Sequence, residues 1–305
     1  MGCTKVVEKR KMKKEKGNEQ HFFAKRSLGQ NFLIAPKVAE RIALLASSGH
    51  DVSRRVVLEV GPGKGMLTRE LLKRAEKVVA IEKDDRLYEL LQTSFSKEIK
   101  LGRLQLVHGD AVNLLGLGNW KSELENPNSE FLIPNSYTVA ANIPYNLTGE
   151  LLRLFLSAEP KPASVTVLVQ KEVAERVVAK DGKESILSLS VKAYGEPHFE
   201  GKVPRTLFRP VPGVDSAILH IANVSNAFFD TLLPRFNLSS KVEGAFFALV
   251  RLGFAHKRKF LLSNLADLHD RTKLVAAFEN IGIQKTARAE NLTLSQWSAL
   301  FVALL

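Results

Sequence analysis

Five short apolar runs, separated by stretches of helical spacing, constrain this chain more than any other feature. They are Arg55–Val60, Lys77–Ile81, Leu104–Val107, Tyr137–Ala141 and Ser164–Val169. Each is short, β-branched and bounded by glycine or polar residues, so each predicts a buried strand. Between them, Pro36–Ala46, Met66–Ala75, Leu87–Phe95, Gly149–Ser157 and Lys171–Val178 have the spacing of helices, the first with proline in its first turn. Strand–helix alternation of this kind predicts an α/β fold, a Rossmann-like open and mostly parallel sheet covered on both faces. Ligands of such sheets sit beyond the carboxyl ends of the strands. The glycine loop, Glu82, Asp110 and the Asn142–Tyr145 loop each fall at one of those ends.

The first run leads into Glu59-Val-Gly61-Pro-Gly63-Lys-Gly65. Glycines allow a sharp turn and a close ligand approach, because no Cβ intervenes. Their spacing is not that of a dinucleotide loop, since Met66 stands where the third glycine would be needed. Glu82 ends the second run, where a carboxylate can accept hydrogen bonds from both hydroxyls of a ribose. Asp110 follows the third and can accept from an exocyclic adenine amine, or serve only as a helix N-cap. Glycines at Gly61 and Gly63, then Glu82, then Asp110 describe a nucleoside without phosphate. S-adenosylmethionine fits that description. ATP fits poorly, because neither a phosphate loop nor a metal-binding pair is visible.

The fourth run ends in Asn142-Ile-Pro144-Tyr145. An adenine amine is a weak nucleophile because its lone pair is delocalised into the ring. The Asn142 side-chain carbonyl and the Ile143 backbone carbonyl can hold its two N–H groups. Pro144 stiffens the turn, and Tyr145 can stack on an unpaired base. The same four residues could instead form an Asn-Pro turn with a core tyrosine.

Charge points to a polyanionic partner. The formal net charge is +12, and half of it lies in residues 1–26, which hold nine basic and three acidic side chains. That stretch has too little apolar content to build a core and reads as a flexible basic tail. Cys3 is the only cysteine, so an internal disulfide and a cysteine-based metal site are excluded, and a reducing, cytoplasmic setting is expected. No metal and no membrane contact is expected; no run reaches the length of a membrane span. Residues 116–136 read as a surface insertion. After about Asn223 strands disappear, and amphipathic helices predict a small all-helical C-terminal domain. The expected organisation is therefore tail 1–26, catalytic domain 27–223 and helical RNA-binding domain 224–305.

Four motifs in register carry a family resemblance: Ser27–Leu33, Glu59–Gly65, Asn142–Tyr145 and Phe208-Arg-Pro-Val-Pro-Gly-Val-Asp-Ser216. Together they resemble the ribosomal RNA adenine N6,N6-dimethyltransferases. The resemblance implies that Asn31 and Leu33 close over the cofactor, that Gly61, Glu82, Asp110 and Asn142 complete its contacts, and that Phe208 faces Tyr145 across a flipped adenine. The C-terminal Lys257-Arg258-Lys259, followed by Leu261–Leu265, is similar to the small-subunit branch and implies RNA phosphate contacts. A solvated helix face would explain the same cluster. The implied substrate is two adjacent adenines near the 3′ end of small-subunit RNA, free or in a pre-assembled subunit, and nothing in the sequence demands more than a monomer. A large-subunit RNA methyltransferase of the macrolide-resistance type and a non-catalytic RNA-binding or transcription factor on the same fold are the alternatives.

Overall fold

The computed structural model describes residues 24–25, 29–48, 56–116, 136–232, 242–266 and 270–304. Most of the basic tail and of the predicted insertion lie outside them.

The chain opens with β1 (Phe32–Leu33) and α1 (Pro36–Ala46), then alternates through β2 (Val56–Val60), α2 (Met66–Leu72), β3 (Lys77–Glu82), α3 (Asp85–Ser94), α4 (Ser96–Lys100), β4 (Leu104–His108), α5 (Ala111–Gly116) and β5 (Tyr137–Asn142). It continues with α6 (Thr148–Ser157), β6 (Val165–Gln170), α7 (Lys171–Val177) and α8 (Ile186–Lys192). Next come β7 (Glu196–Val203), β8 (Phe208–Arg209) and β9 (Ser216–Ala222). The C-terminal part is α9 (Ala227–Leu232), α10 (Val242–Gly253), α11 (Leu261–Leu265), α12 (Arg271–Ile281) and α13 (Leu294–Ala303).

Seven strands form one sheet in the order β4-β3-β2-β5-β6-β9-β7. The five predicted strands are parallel to one another, and β9 runs antiparallel to both β6 and β7. The sheet is thus mostly parallel, with an antiparallel edge that the strand–helix alternation did not reveal. A separate two-residue ladder joins β1 to β8, with Leu33 opposite Phe208.

Side chains alternate across the sheet, so successive residues of β2 enter different cores. Leu58 and Val60 pack with Leu151, Leu152 and Phe155 of α6, and Val57 packs in the cluster of Ile42, Leu71 and Leu91 on the other face. The first of these cores runs without a break into Phe246, Trp297 and Phe301 of the C-terminal helices. Each such fully buried side chain contributes roughly 1.5–3 kcal/mol of apolar transfer energy. A shared core fixes the helical part against the sheet rather than leaving it on a hinge.

Parallel strands direct the ends of β2, β3, β4 and β5 to one rim. Asn142 closes β5, Glu82 closes β3, and the glycine loop begins one residue after β2.

Candidate functional site

Beyond this rim lies a cavity of about 380 Å³, within the usual range for small-ligand sites. Gly61, Gly63, Glu82, Asp110, Asn142, Pro144, Tyr145, Asn31 and Leu33 all line it. Residues predicted from five separate stretches of sequence thus share one wall.

The glycine loop is shaped by requirement. Gly63 adopts φ +59°, and a Cβ there would sit 3.2 Å from the Phe32 ring. Gly65, at φ +76°, leaves no room at all: a Cβ would lie 2.4 Å from Phe95. The chain therefore passes beneath the cavity with bare backbone.

Glu82 is buried, and both its carboxylate oxygens are anchored. Oε2 accepts from Gly63 N–H at 3.1 Å and Oε1 from Asp84 N–H at 2.9 Å. Burial raises its pKa, and these backbone bonds restrain the rise. Asp110 caps α5 by accepting from Val112 N–H at 2.9 Å, and pairs with Lys83 at 2.6 Å. Burial would raise the Asp110 carboxyl, but Lys83 and the backbone bonds outweigh it, leaving the group below its ordinary value and ionised at neutral pH. The capping and cavity-lining readings of Asp110 therefore hold together: its position on the wall follows from the cap.

The charge of the wall argues against polyphosphate. Its acids are Glu82, Asp110 and Glu150; its cations are Lys64 and Lys83. Lys83 is taken by Asp110, and Lys64 sits 5.1 Å above the centre of the Phe32 ring. Such a wall suits a nucleoside whose other end is cationic, and the bare glycine backbone leaves room for that end.

Residues 29–33 form a strap across the cavity. Asn142 donates its side-chain N–H to the Asn31 carbonyl at 3.0 Å, and Gln30 donates to Asp84 at 3.0 Å. Asp84 also binds Arg86 at 2.7 Å and Lys25 at 3.2 Å. The Arg86 guanidinium, with Gln30 and Lys25, holds the buried Asp84 carboxyl well below the usual range. Nothing in the sequence around Asp84 marks it as the anchor of a segment 54 residues upstream.

Beyond Asn142, Pro144 starts a short 3₁₀ turn, Tyr145–Leu147, and its carbonyl is occupied by Leu147 N–H at 2.9 Å. The Ile143 carbonyl accepts no backbone bond among the described residues. The Tyr145 hydroxyl is 2.8 Å from Ser216 Oγ, at the start of β9. Burial raises the Tyr145 hydroxyl, so it stays neutral. Ser216, fully buried, fixes the ring on the cavity wall. The motif Phe208–Ser216 thus reaches the site through its last residue.

Its first residue behaves differently. Phe208 does not face Tyr145 across the cavity. It is 0% exposed, paired through its backbone with Leu33, and belongs to the apolar cluster of Leu33 and Ile42. The ladder between β1 and β8 buries the ring, and its partner strand lies far upstream, beyond the reach of a local motif.

The basic cluster is also placed differently from a helix face. Lys257, Arg258 and Lys259 occupy an exposed turn between α10 and α11. None of the three has an ion pair among the described residues. Lys257 and Lys259 line a cleft of about 750 Å³ of mixed charge, which they share with Arg176 and with the acids Glu172, Glu175 and Glu290. Among the described residues no cluster of His, Cys, Asp and Glu could hold a metal, and no helix is long and apolar enough to cross a membrane.

A mostly parallel sheet with a glycine loop, two strand-end acids and an Asn-Ile-Pro-Tyr loop around one rim cavity is the arrangement of a methyltransferase. The chain belongs to the ribosomal RNA adenine dimethylase family, whose pattern matches residues 21–304. Ribosomal RNA small subunit methyltransferase A of Dehalococcoides mccartyi is 38% identical over 281 residues, covering 91% of this chain and 87% of that protein. The protein of the same name in Geobacillus thermodenitrificans is 33% identical over 292 residues, covering 93% and 92%. Among solved structures, the 23S rRNA methyltransferase ErmE superposes with TM-score 0.69 at 28% identity, covering 90% of this chain and 99% of that one. A dimethyladenosine transferase from Plasmodium falciparum shares the fold, with TM-score 0.68 at 24% identity over 88% and 95%.

Proposed function

We propose that the protein uses S-adenosylmethionine to dimethylate N6 of two adjacent adenines near the 3′ end of small-subunit ribosomal RNA, as a cytoplasmic monomer in ribosome assembly. The observation that carries this reading is the meeting of Glu82, Asp110 and the Asn142–Tyr145 loop around one cavity. The relatives named for the small subunit, 38% and 33% identical over most of the chain, favour that branch.

Glu82 would accept from the donor's ribose hydroxyls and Asp110 from its adenine amine. Gly61 and Gly63 would admit its amino-acid end, with Asn31 and Leu33 closing above. When bound, the donor supplies an electrophilic methyl group on a sulfonium. The chain's own contribution is position. The Asn142 amide nitrogen is held by the Asn31 carbonyl, which turns its oxygen outward as an acceptor. That oxygen and the Ile143 carbonyl would each take one N–H of the target amine. Held by these two carbonyls, the amine would present its lone pair towards the donor side of the cavity, and the two carbonyl dipoles would stabilise positive charge developing on the nitrogen. Tyr145, fixed by Ser216, would stack on the extruded base. No side chain need take the proton before transfer, because the methylated ammonium of an adenine is acidic enough to lose it to water afterwards.

We assign residues 27–223 to catalysis and 224–305 to RNA binding, with Lys257, Arg258 and Lys259 on phosphates and the tail 1–26 as a basic arm. The test is labelled methyl transfer to naked small-subunit RNA, naked large-subunit RNA and unmodified small subunits in parallel, with products mapped by mass. Dimethyladenosine at two neighbouring positions of small-subunit RNA is expected. Label confined to large-subunit RNA would reassign the branch.

A further inference from the structure

The turn that carries the basic cluster ends in Phe260. A lone exposed apolar side chain usually means nothing. This one stands apart for three reasons. The residue is 45% exposed and belongs to neither apolar core. It directly follows Lys257, Arg258 and Lys259, which form no ion pair among the described residues, although Lys257 and Lys259 border a cleft that Glu172, Glu175 and Glu290 also line, and all residues from Ala255 to Phe260 are exposed. And the turn is held rigid from behind. The side-chain N–H group of buried Asn264 donates to the Gly253 carbonyl at 2.6 Å and the His256 carbonyl at 3.3 Å. Lys259 N–H closes onto the His256 carbonyl at 3.0 Å, and Leu261 N–H binds the Ala287 carbonyl at 2.8 Å.

We propose that this turn is a platform for an unpaired nucleotide, with the Phe260 ring stacking on its base and Lys257 and Lys259 on the flanking phosphates. The inference rests on the RNA-modifying reading above and adds to it a single-stranded contact remote from the reacting adenine. Phosphate-binding lysines alone accept duplex and single strand alike, whereas an exposed ring among cations rewards a base that has left its stack. Rigidity matters here because an ordered turn loses little entropy on binding.

The experiment uses the full-length chain, a single-stranded RNA of about ten nucleotides and an RNA duplex of similar length. Phe260→Ala should weaken single-strand binding roughly tenfold, the worth of one base–aromatic stack, with no change in the salt dependence. Duplex binding and affinity for S-adenosylmethionine should stay as in the parent, the second being a check on folding. Phe260→Trp should keep the single-strand affinity, and its indole emission should be quenched by the single strand and not by the duplex. Unchanged single-strand affinity in Phe260→Ala, or absence of quenching in Phe260→Trp, overturns the proposal. So does a loss seen only with assembled subunits, which would make Phe260 a protein contact. Lys257→Ala with Lys259→Ala separates the two levels. If these weaken RNA binding while Phe260→Ala does not, the stack alone is wrong. If neither matters, the turn is not an RNA surface.

Discussion

The rim cavity and the Ala255–Phe260 turn handle charge in opposite ways. At the cavity the acids that face the proposed nucleoside are committed: Asp110 to Lys83 and a backbone N–H, Glu82 to two backbone N–H groups; behind the strap, Asp84 is held by Arg86, Gln30 and Lys25. On the turn the three cations stand exposed and unpaired among the described residues. Preorganised, partly buried dipoles recognise one small molecule by geometry and are little screened by salt. Exposed cations recognise a polyanion by charge and lose their hold as salt rises. On the proposed function, one chain would read its small partner by shape and its large one by field.

Breaking the cavity should have the largest effect. Asn142→Ala removes an acceptor aimed at the target amine and is expected to lower kcat by about 10²–10³-fold, with RNA affinity little changed. Single-turnover kinetics beside RNA binding would show it; an equal loss of RNA affinity would move Asn142 out of the reaction centre. Replacing Lys257, Arg258 and Lys259 together by Ala comes next. RNA binding should fall by roughly one to two orders of magnitude near physiological salt, and the salt slope should flatten by about two to three. Donor affinity should not change, and above about 0.5 M salt the variant and its parent should converge. A salt-independent defect would mean that the turn acts through folding.

Ser216→Ala sharpens the cavity side. It frees the Tyr145 hydroxyl and should lower kcat about five- to tenfold, the effect of one hydrogen bond. Tyr145→Phe should match it, and the double variant should be no worse than either single one, as expected for two groups in a single interaction.

The smallest effect is a pH dependence. Burial pushes the Glu59 carboxyl up to about 8, with the Thr68 hydroxyl nearby but no well-formed hydrogen bond to either oxygen, and with Glu82 adding repulsion. The folded chain therefore holds this proton to higher pH than the unfolded chain does. Stability from Glu59 is complete below the ordinary carboxylate range and declines as pH rises towards about 8. Glu59→Gln should flatten that decline in thermal melts. Glu82 is raised by burial as well, but the donor needs it ionised. Donor affinity should therefore fall on acidification, starting above the pH at which a free glutamate titrates.

The sequence exposed those parts of the site that depend on local chemistry. Glycine spacing, the acids Glu82 and Asp110 at strand ends, and Asn142–Tyr145 all lie within a few residues of the strand that positions them. The five parallel strands were legible for the same reason, each being a β-branched run cut by glycine or polar residues. What stayed hidden depends on distant pairing. The edge strand β7 carries Glu196, His198, Glu200 and Lys202, so it has little apolar alternation, and β9 is placed only by its pairing with β6 and β7. Phe208 is buried by a ladder to Phe32 and Leu33, and Gln30 finds Asp84, across separations that no local pattern records. The Lys257–Lys259 cluster follows the end of α10 at Gly253, where a Cβ would lie 2.4 Å from Trp297, a contact between helices that sequence spacing does not display.

The most direct measurement is a calorimetric titration of the full chain and of Glu82→Ala with S-adenosylmethionine and, separately, with ATP. The parent should bind one S-adenosylmethionine, ATP should not compete, and Glu82→Ala should bind at least tenfold more weakly, as loss of hydrogen bonds to a charged group requires. No heat from the methyl donor, or equal affinity for ATP, would contradict a phosphate-free nucleoside site at this rim.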